Sequence, residues 1–328
     1  MKKSIIKKLF IKLSKIMGYE IIDQNSFTSP TLDKELNKDL SKLNDKSIVL
    51  PLGEVKISRK VKSILILFRT NSNVEIWDQN KKRLFELPKI EYTLRSLNSI
   101  LKSINFSKEK YPNINIQLTI IDDKTNETNL GKIKKLITNN VDVNIVEVNH
   151  NKYKEIINKQ KNDETFSNLA SLLCSFEIAK KNADDLVFFV EDDYLHFEAM
   201  MEEMIASYER ISSQLNKDIF MCPADYPYLY MNNHKTNILI GNKRHWRTVN
   251  ETLCTFLTSK ELLEKYWDNF YKTCLNRHDP FEKYINEIYN SEICISPLKS
   301  LSVHFTNINS SYGLSPFIDY KKLWEESD

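Results

Sequence analysis

An alternation of apolar runs and amphipathic segments constrains the fold of this chain more than any other feature of its sequence. Four runs have the length and composition of buried strands: Ser63–Phe68, Ile114–Ile121, Val141–Val148 and Leu186–Val190. Segments 91–104 and 164–181 lie between strands and repeat apolar residues at helical spacing. This order predicts an α/β fold with a mainly parallel central sheet flanked by helices.

Charged side chains follow three of these strands at the point where each strand ends. They are Arg69 after the first, Asp122 and Asp123 after the second, and Glu191, Asp192 and Asp193 after the fourth. Because ligands of parallel sheets bind beyond the carboxyl ends of the strands, we expect these side chains to meet at one edge. In an extended chain, Glu191 and Asp193 point to one side and Asp192 to the other.

Crowded carboxylates repel each other unless a cation or hydrogen-bond donors compensate their charge. A hard divalent ion, Mn²⁺ or Mg²⁺, that also binds a diphosphate would provide this compensation at the Glu191–Asp193 cluster. The alternative interpretation of the cluster is a solvated acidic turn.

The second half of the chain is less regular. We expect a helix at about 196–213 and strands at 218–222, 253–257 and Ser300–Thr306. Thr258 and Glu261 have the pattern of a capping box that opens a helix. The segment 279–282 has Asp at a helix N-cap, Pro at the first helical position and Glu two residues later, which predicts another helix start.

Composition excludes several classes of protein. The 328 residues are 41% hydrophobic, which is enough for a full core. Lys and Arg number 47 against 44 Asp and Glu, so we expect no nucleic-acid partner that needs a wholly basic surface. The five cysteines form no CxxC pair, which disfavours a zinc site and fits a reducing compartment. We find no membrane span or signal peptide pattern and expect a cytoplasmic protein.

The N-terminal segment 1–20 predicts a basic amphipathic helix that ends at Gly18. Such a helix can lie on an anionic membrane surface, at the inner face of the cell membrane. It can equally pack on the main domain or on a second subunit, and the pattern does not separate these interpretations. We expect 1–60 to be this helix and a linker, 61–310 the main domain and 311–328 a C-terminal tail.

The order of SILILFRT, LTIIDDKT, the helix at 164–181 and LVFFVEDDYL resembles the nucleotide-sugar-dependent glycosyltransferases of the GT-A fold, and most closely the bacterial family 2 enzymes. The resemblance covers about 61–310. It implies a Rossmann-like nucleotide-binding half at 61–195 and an acceptor half at 196–310. The implied reaction moves a sugar from a nucleoside-diphosphate sugar to a hydroxyl of a glycan or lipid-linked acceptor, in cell-envelope polysaccharide synthesis.

The resemblance also implies roles for the charged residues at the strand ends. The triplet Glu191-Asp192-Asp193 stands where the family has its DXD motif, and the chain departs from that motif by having Glu at the first position. Asp193 is then a metal ligand, and Glu191 and Asp192 contact the ribose, the sugar or the metal. Asp122 and Asp123 stand where the family binds base and ribose, although a turn that caps the strand would also explain either one.

Three further positions have a functional interpretation and a structural alternative. The resemblance implies that His304 is a metal ligand, although a histidine within an apolar run is commonly a core residue. Arg69 ends the first strand and could contact the nucleotide, or it could be a surface arginine instead. Arg247 lies in RHWR beside Trp246, where it could neutralise the diphosphate while Trp246 stacks on a sugar; the alternative is a loop anchor.

Asp279 is the first choice for the base that deprotonates the acceptor hydroxyl, since family 2 enzymes have their base at a comparable helix start. Glu282 and Asp225 are the alternatives. A metal-dependent nucleotidyltransferase is a rival function, disfavoured because the loop RTNSN at 69–73 is not the glycine-rich, basic loop that binds phosphates. A non-catalytic scaffold that binds glycan or a partner protein is the second rival.

Overall fold

The computed structural model describes residues 5–19, 46–49, 53–72, 84–137, 141–158, 162–231, 235–305 and 312–328. The strands of these residues are β1 Lys46–Val49, β2 Gly53–Lys56, β3 Ser63–Thr70, β4 Asn115–Asp122, β5 Asp142–Glu147, β6 Leu186–Glu191, β7 Tyr194–His196, β8 Phe220–Met221, β9 Ile238–Ile240, β10 His245–Val249, β11 Phe256–Ser259, β12 Cys294–Pro297 and β13 Ser302–His304. The α-helices are α1 Ile5–Ile16, α2 Lys89–Lys110, α3 Glu127–Leu136, α4 His150–Tyr153, α5 Asp163–Asn182, α6 Met200–Leu215, α7 Lys260–Lys265, α8 Trp267–Leu275, α9 Lys283–Ile288 and α10 Tyr320–Glu326.

A nine-stranded mixed sheet forms the centre of the fold, with strand order β5-β4-β3-β6-β11-β8-β12-β10-β9. The first four of these strands are parallel, and β8 pairs with β12 in parallel, while β11, β10 and β9 form antiparallel pairs. Two small antiparallel sheets pair β1 with β2 and β13 with β7. The predicted α/β fold with a mainly parallel central sheet is confirmed.

Strand β3 shows why the sheet is covered on both faces. Ile64, Ile66 and Phe68 are buried with residues of α2 and α6, whereas Leu65 and Leu67 are buried with residues of α5. Side chains that alternate along a strand therefore bury apolar surface in two separate layers. Both layers hold the carboxyl ends of β3, β4 and β6 at a common edge.

Two predicted helix starts differ from the structure. Ser259 is the N-cap of α7 and accepts a hydrogen bond from the backbone N of Leu262, so the capping-box prediction on Thr258 is displaced by one residue. Helix α9 begins at Lys283, and Asp279 does not cap it. The backbone N of Lys283 donates to the carbonyl of Pro280, so these residues form a turn that precedes the helix.

The other predicted elements lie at the expected places with shifted ends. The helix expected at 196–213 is α6, and the strands expected at 218–222 and 253–257 are β8 and β11. The segment expected as a linker contains the β1–β2 hairpin, and residues 21–45 lie outside the described residues. In the segment expected as a tail, α10 packs Trp324 on Tyr92 of α2, with ring centroids 4.8 Å apart.

The N-terminal helix ends as predicted. Gly18 has φ of +82°, and the backbone N of Tyr19 donates to the carbonyl of Ser14 at 2.9 Å. A left-handed glycine with such a bond is the usual way to end a helix. Within the described residues, we find no helix with the length and apolar character needed to cross a bilayer.

Candidate functional site

Arg69 and Glu191 form an ion pair at the carboxyl edge of the parallel strands. They are register partners on β3 and β6, and Nη2 of Arg69 lies 2.9 Å from Oε1 of Glu191. The Arg69 guanidinium also donates to Oδ1 of Asn168 at 2.9 Å and to Oγ of Ser171 at 3.2 Å, both on α5. Arg69 is buried, so it is a fixed counter-charge inside the fold and its interpretation as a surface arginine is wrong.

Burial and the neighbouring Asp193 carboxylate raise the pKa of Glu191, and the Arg69 guanidinium opposes the rise. The backbone N of Glu191 donates to Oγ1 of Thr255 at 3.1 Å, which fixes the strand end. Glu191 therefore faces a cation that the protein itself supplies, and its contact with a metal stays a prediction.

Asp192 points to the other side of the strand, towards α2. Nζ of Lys89 lies 2.5 Å from its Oδ1, and the hydroxyls of Thr70 and Thr93 donate to its Oδ2 at 3.0 and 2.8 Å. Both carboxylate oxygens thus bind side chains of β3 and α2. Asp192 ties the site to the helix layer, and its predicted contact with ribose, sugar or metal stays a prediction.

Asp193 and His304 face each other across the end of the β7–β13 pair. Nε2 of His304 lies 3.2 Å from Oδ2 of Asp193, and Nδ1 lies 3.0 Å from the carbonyl oxygen of Tyr312. The ring of Tyr194 stacks on His304 with centroids 4.7 Å apart. Burial lowers the pKa of His304, but the Asp193 carboxylate opposes this and the pKa is raised overall.

The donor atoms of this pair suit a divalent cation. When the imidazole is neutral, a proton on Nδ1 that binds the Tyr312 carbonyl leaves the Nε2 lone pair directed towards Asp193. One nitrogen and carboxylate oxygens match the preferences of Mn²⁺, or of Mg²⁺ with more oxygen ligands. Across the described ranges no group of three His, Cys, Asp or Glu side chains is arranged as a metal cage.

Glu282 is a buried carboxylate that lies close enough to Glu191 for the two charges to interact. The Cys254 thiol donates to its Oε1 at 3.7 Å. Burial, and then the charge of Glu191, raise the pKa of Glu282 to about 7. Asp279, the first choice for the catalytic base, has an exposed side chain, and Glu282 combines burial with proximity to Glu191.

Asp122 and Asp123 end β4 in different surroundings. Hydrogen bonds from the side chain and the backbone of Thr125 oppose the rise that burial causes in the pKa of Asp122. These bonds fit the turn interpretation for Asp122. Asp123 is buried, and its Oδ1 lies 2.5 Å from Nε2 of His150, whose ring meets Phe166 edge-on at 5.5 Å.

Arg247 is paired inside the protein. Its guanidinium forms a buried ion pair with Asp225, and the Tyr230 hydroxyl donates to Oδ2 of Asp225 at 2.6 Å. The guanidinium also lies over the Tyr230 ring, 4.4 Å from its centroid. This geometry fits the loop-anchor alternative, and contact of Arg247 with a diphosphate stays a prediction.

The surroundings of Trp246 fit the loop-anchor alternative and not stacking on a sugar. This tryptophan is fully buried, and its Nε1 donates to Oγ of Ser207 on α6 at 3.0 Å. Gly241 lies so close that a Cβ there would be 2.4 Å from the indole ring. In the segment PADYPYLY at 223–230, Tyr226 and Tyr228 are buried and pack on Tyr312, while Tyr230 is exposed.

Sequence reasoning missed three residues of this site: Lys89, His150 and Tyr312. Lys89 and Tyr312 contact residues far away in the chain, so no local motif marks them. His150 had a usable signal, since it follows the third predicted strand as Asp122 and Arg69 follow theirs.

Comparisons with known proteins show distant structural similarity only. No protein-family model and no curated protein matches the sequence. The UTP-bound UGPase from Acinetobacter baumannii is 9% identical with a TM-score of 0.43, over 81% of this chain and 93% of that one. The galactosyltransferase LgtC in complex with donor and acceptor sugar analogues is 11% identical with a TM-score of 0.36, over 69% and 70%.

The inositol-1-phosphate CTP transferase from T. maritima is 11% identical with a TM-score of 0.39, over 82% of this chain and 97% of that one. Both sugar transfer and nucleotide transfer thus occur among the named neighbours. With TM-scores below 0.5, these similarities decide nothing about activity, which has to be argued from the residues of this chain.

Proposed function

We propose that this chain is an enzyme that uses a nucleoside-diphosphate sugar, and specifically a metal-dependent glycosyltransferase. One observation carries the proposal: Asp193 and His304 face each other at the edge where the Arg69–Glu191 pair ends two parallel strands. A carboxylate and an oriented imidazole beside a fixed cation suit a bound diphosphate and its counter-ion.

In this proposal Asp193 and His304 hold Mn²⁺ or Mg²⁺, and Glu191 orients the donor beside them. The bound ion supplies positive charge next to the diphosphate as it leaves. Arg69 opposes the rise in the pKa of Glu191 and holds its carboxylate in place, while Asn168 and Ser171 on α5 fix the guanidinium. Asp192 and Arg247 support the site through their own ion pairs.

Asp122, Asp123 and His150 lie at the ends of β4 and β5, where the nucleoside would bind. Asp123 fixes the His150 ring, which can then contact a base or a ribose hydroxyl. This assignment extends the family role of Asp122 and Asp123 to a histidine that the sequence did not mark.

The acceptor hydroxyl oxygen forms a bond to the anomeric carbon while the bond from that carbon to the diphosphate breaks. We assign the hydroxyl proton to Glu282 instead of Asp279. A base works best with a pKa near the operating pH, and burial together with Glu191 raises the pKa of Glu282 to about 7. Direct attack by the acceptor would invert the configuration at that carbon.

We propose a glycan or lipid-linked acceptor and a role in cell-envelope polysaccharide synthesis on the cytoplasmic side. All five cysteines are buried free thiols, which suits a reducing compartment.

Product analysis tests the proposal. The purified chain is incubated with each common nucleotide sugar, together with a glycan acceptor or with pyrophosphate, each with and without Mn²⁺, and the phosphate-containing products are separated. Glycosyl transfer releases a nucleoside diphosphate, because the bond from sugar to diphosphate breaks, whereas nucleotidyl transfer releases or consumes pyrophosphate. Pyrophosphate chemistry would reject glycosyl transfer in favour of the rival enzyme. Failure of every nucleotide sugar to bind, measured by calorimetry with and without metal, would favour the non-catalytic scaffold.

A further inference from the structure

Helix α1 carries an apolar stripe that the rest of the described chain leaves uncovered. The side chains of the stripe are 53–79% exposed: Ile6, Leu9, Phe10, Leu13, Ile16 and Met17. They recur every three or four residues and so lie along one side of the helix. Contiguous apolar surface of this kind marks an interaction site in a soluble protein.

The exposed apolar stripe lies on a helix with a well-defined C-terminal end. Its end is defined by Gly18 at φ +82° and by the bond from the backbone N of Tyr19 to the carbonyl of Ser14. Outside the stripe, Ser14 is buried and Ile11 is half-buried. The helix therefore already rests on protein through another side, and the stripe faces outwards.

Positive charge accompanies the stripe. Residues 1–19 contain six lysines and no acidic residue: Lys2, Lys3, Lys7, Lys8, Lys12 and Lys15. The remaining chain has 41 basic residues against 44 acidic ones, so the excess positive charge of the molecule belongs to this segment. Lys12 and Lys15 are exposed on the helix.

A partner for α1 has to offer both hydrocarbon and negative charge. A second copy of the helix offers hydrocarbon but brings six more lysines, and a symmetric contact would place like charges together. An anionic lipid surface offers acyl chains and phosphates at once. We propose that α1 binds an anionic membrane, lying in the plane of its interface.

The length of α1 determines its orientation. Twelve helical residues extend about 18 Å, which is shorter than the ~30 Å hydrocarbon core of a bilayer. The helix lies flat, with Leu9, Phe10 and Leu13 among the acyl chains and Lys12 and Lys15 at the phosphates. This inference depends on the helix alone and holds whether or not the proposed enzymatic function is correct.

The test is co-sedimentation of the full chain with vesicles of phosphatidylcholine, alone or mixed with phosphatidylglycerol. We expect binding to the mixed vesicles, at least tenfold weaker binding to phosphatidylcholine alone, and weakening as salt is added. The double variant Leu9→Gln/Leu13→Gln removes apolar contact and should lose at least tenfold in affinity for mixed vesicles. Lys12→Gln/Lys15→Gln should also bind more weakly and depend less on salt.

Two matched controls lie elsewhere on the surface. Lys321→Gln/Lys322→Gln removes the same charge from α10, and Phe317→Ser removes an apolar ring that is 94% exposed. Both should bind vesicles as the original chain does. Unchanged binding of Leu9→Gln/Leu13→Gln would overturn the proposal. A second outcome would also overturn it: the original chain does not bind mixed vesicles and instead forms dimers in sedimentation equilibrium, and the Leu9→Gln/Leu13→Gln variant is monomeric.

Discussion

Nε2 of His304 lies 3.2 Å from Oδ2 of Asp193, although 110 residues separate them in the chain. The contact depends on the pairing of β7 with β13, in which His304 is the register partner of Tyr194, the residue after Asp193. The backbone N of Phe305 also donates to the Asp193 carbonyl at 2.9 Å. Backbone hydrogen bonds therefore set the position of both side chains, and either side chain can be changed without removing them.

Asp193→Asn should reduce turnover at least about 100-fold, because an amide replaces the charged oxygen that faces His304. The melting temperature should change by no more than about 2 °C, since the backbone bond to Phe305 remains. Steady-state kinetics and calorimetry measure the two effects. Asp279→Asn, an exposed carboxylate, is the matched control and should retain turnover. An Asp193→Asn variant with ordinary turnover would remove this residue from the mechanism.

Glu282→Gln should reduce kcat by about 10²- to 10⁴-fold while donor binding stays within a factor of about 2, because the amide cannot accept a proton. In the original chain, kcat should increase as pH rises through about 7, where the Glu282 carboxyl loses its proton. The remaining activity of the variant should lack this step. A pH–rate profile from 5.5 to 8.5 checks both statements. A variant that keeps the step near pH 7 would show that another group is responsible for it.

Asp192→Ala should lower the free energy of unfolding by about 3 kcal/mol, because it removes the partly buried ion pair with Lys89 and the acceptor of two threonine hydroxyls. Urea denaturation followed by tryptophan fluorescence gives this value. The effect distinguishes Asp192 from Asp193, whose replacement should mainly reduce turnover. Equal stability of the two variants would contradict the supporting role of Asp192.

His196 should make the protein less stable in mild acid. Its imidazole is buried, its Nδ1 lies 2.7 Å from Oγ of Ser302, and burial lowers its pKa to about 3. Below the unfolded pKa of about 6.5, the unfolded chain binds a proton that the native chain does not bind, so stability falls as pH falls from 6.5 towards 3. Between pH 7 and 5 this loss is about 2 kcal/mol.

Urea midpoints at pH 7 and pH 5 test that loss by comparing the original chain with His196→Asn, which has no imidazole to titrate. The variant should show the smaller decrease between the two pH values. His245→Asn changes an exposed histidine on β10 and should reproduce the pH dependence of the original chain. If His196→Asn also reproduces it, buried His196 is not the cause.

Gly241→Ala should destabilise the fold by about 1–3 kcal/mol, because the added Cβ would lie 2.4 Å from the buried Trp246 ring and 2.6 Å from Ser207. Gly131→Ala provides the opposite case. Gly131 lies within α3, where an added Cβ would meet no atom within 4 Å other than its chain neighbours and the helix's own backbone, and alanine should stabilise the helix there by about 0.5–1 kcal/mol. Thermal unfolding of both variants measures the difference. Similar melting temperatures would show that Trp246 can move aside.

The sequence predicted the strand-end residues because their signal is local. An apolar run followed by Glu191-Asp192-Asp193 fixes both the strand and the alternation of its last side chains, and the structure separates Asp192 from its neighbours accordingly. The same local reasoning could not separate Asp279 from Glu282 as candidates for the base. Both are carboxylates beside Pro280 and Phe281, and only tertiary packing determines which of the two is buried.

Trp246 and Arg247 show an ambiguity that composition and spacing leave open. A tryptophan beside arginines is typical of a ligand site and also of a buried anchor, and the difference depends on what lies opposite. Here Ser207 of α6 and Asp225 occupy those positions. Such partners are distant in sequence, so composition and spacing carry no information about them.

Arg69 and Asp192 attach the same strand ends to opposite layers of the protein. Arg69 binds Asn168 and Ser171 on α5, and Asp192 binds Lys89 and Thr93 on α2. Displacement of α5 would move Arg69, and displacement of α2 would move Asp192. The site therefore stays assembled only while both helices are folded. Activity should therefore disappear as soon as either helix unfolds, which during denaturation can precede the loss of the remaining tertiary structure.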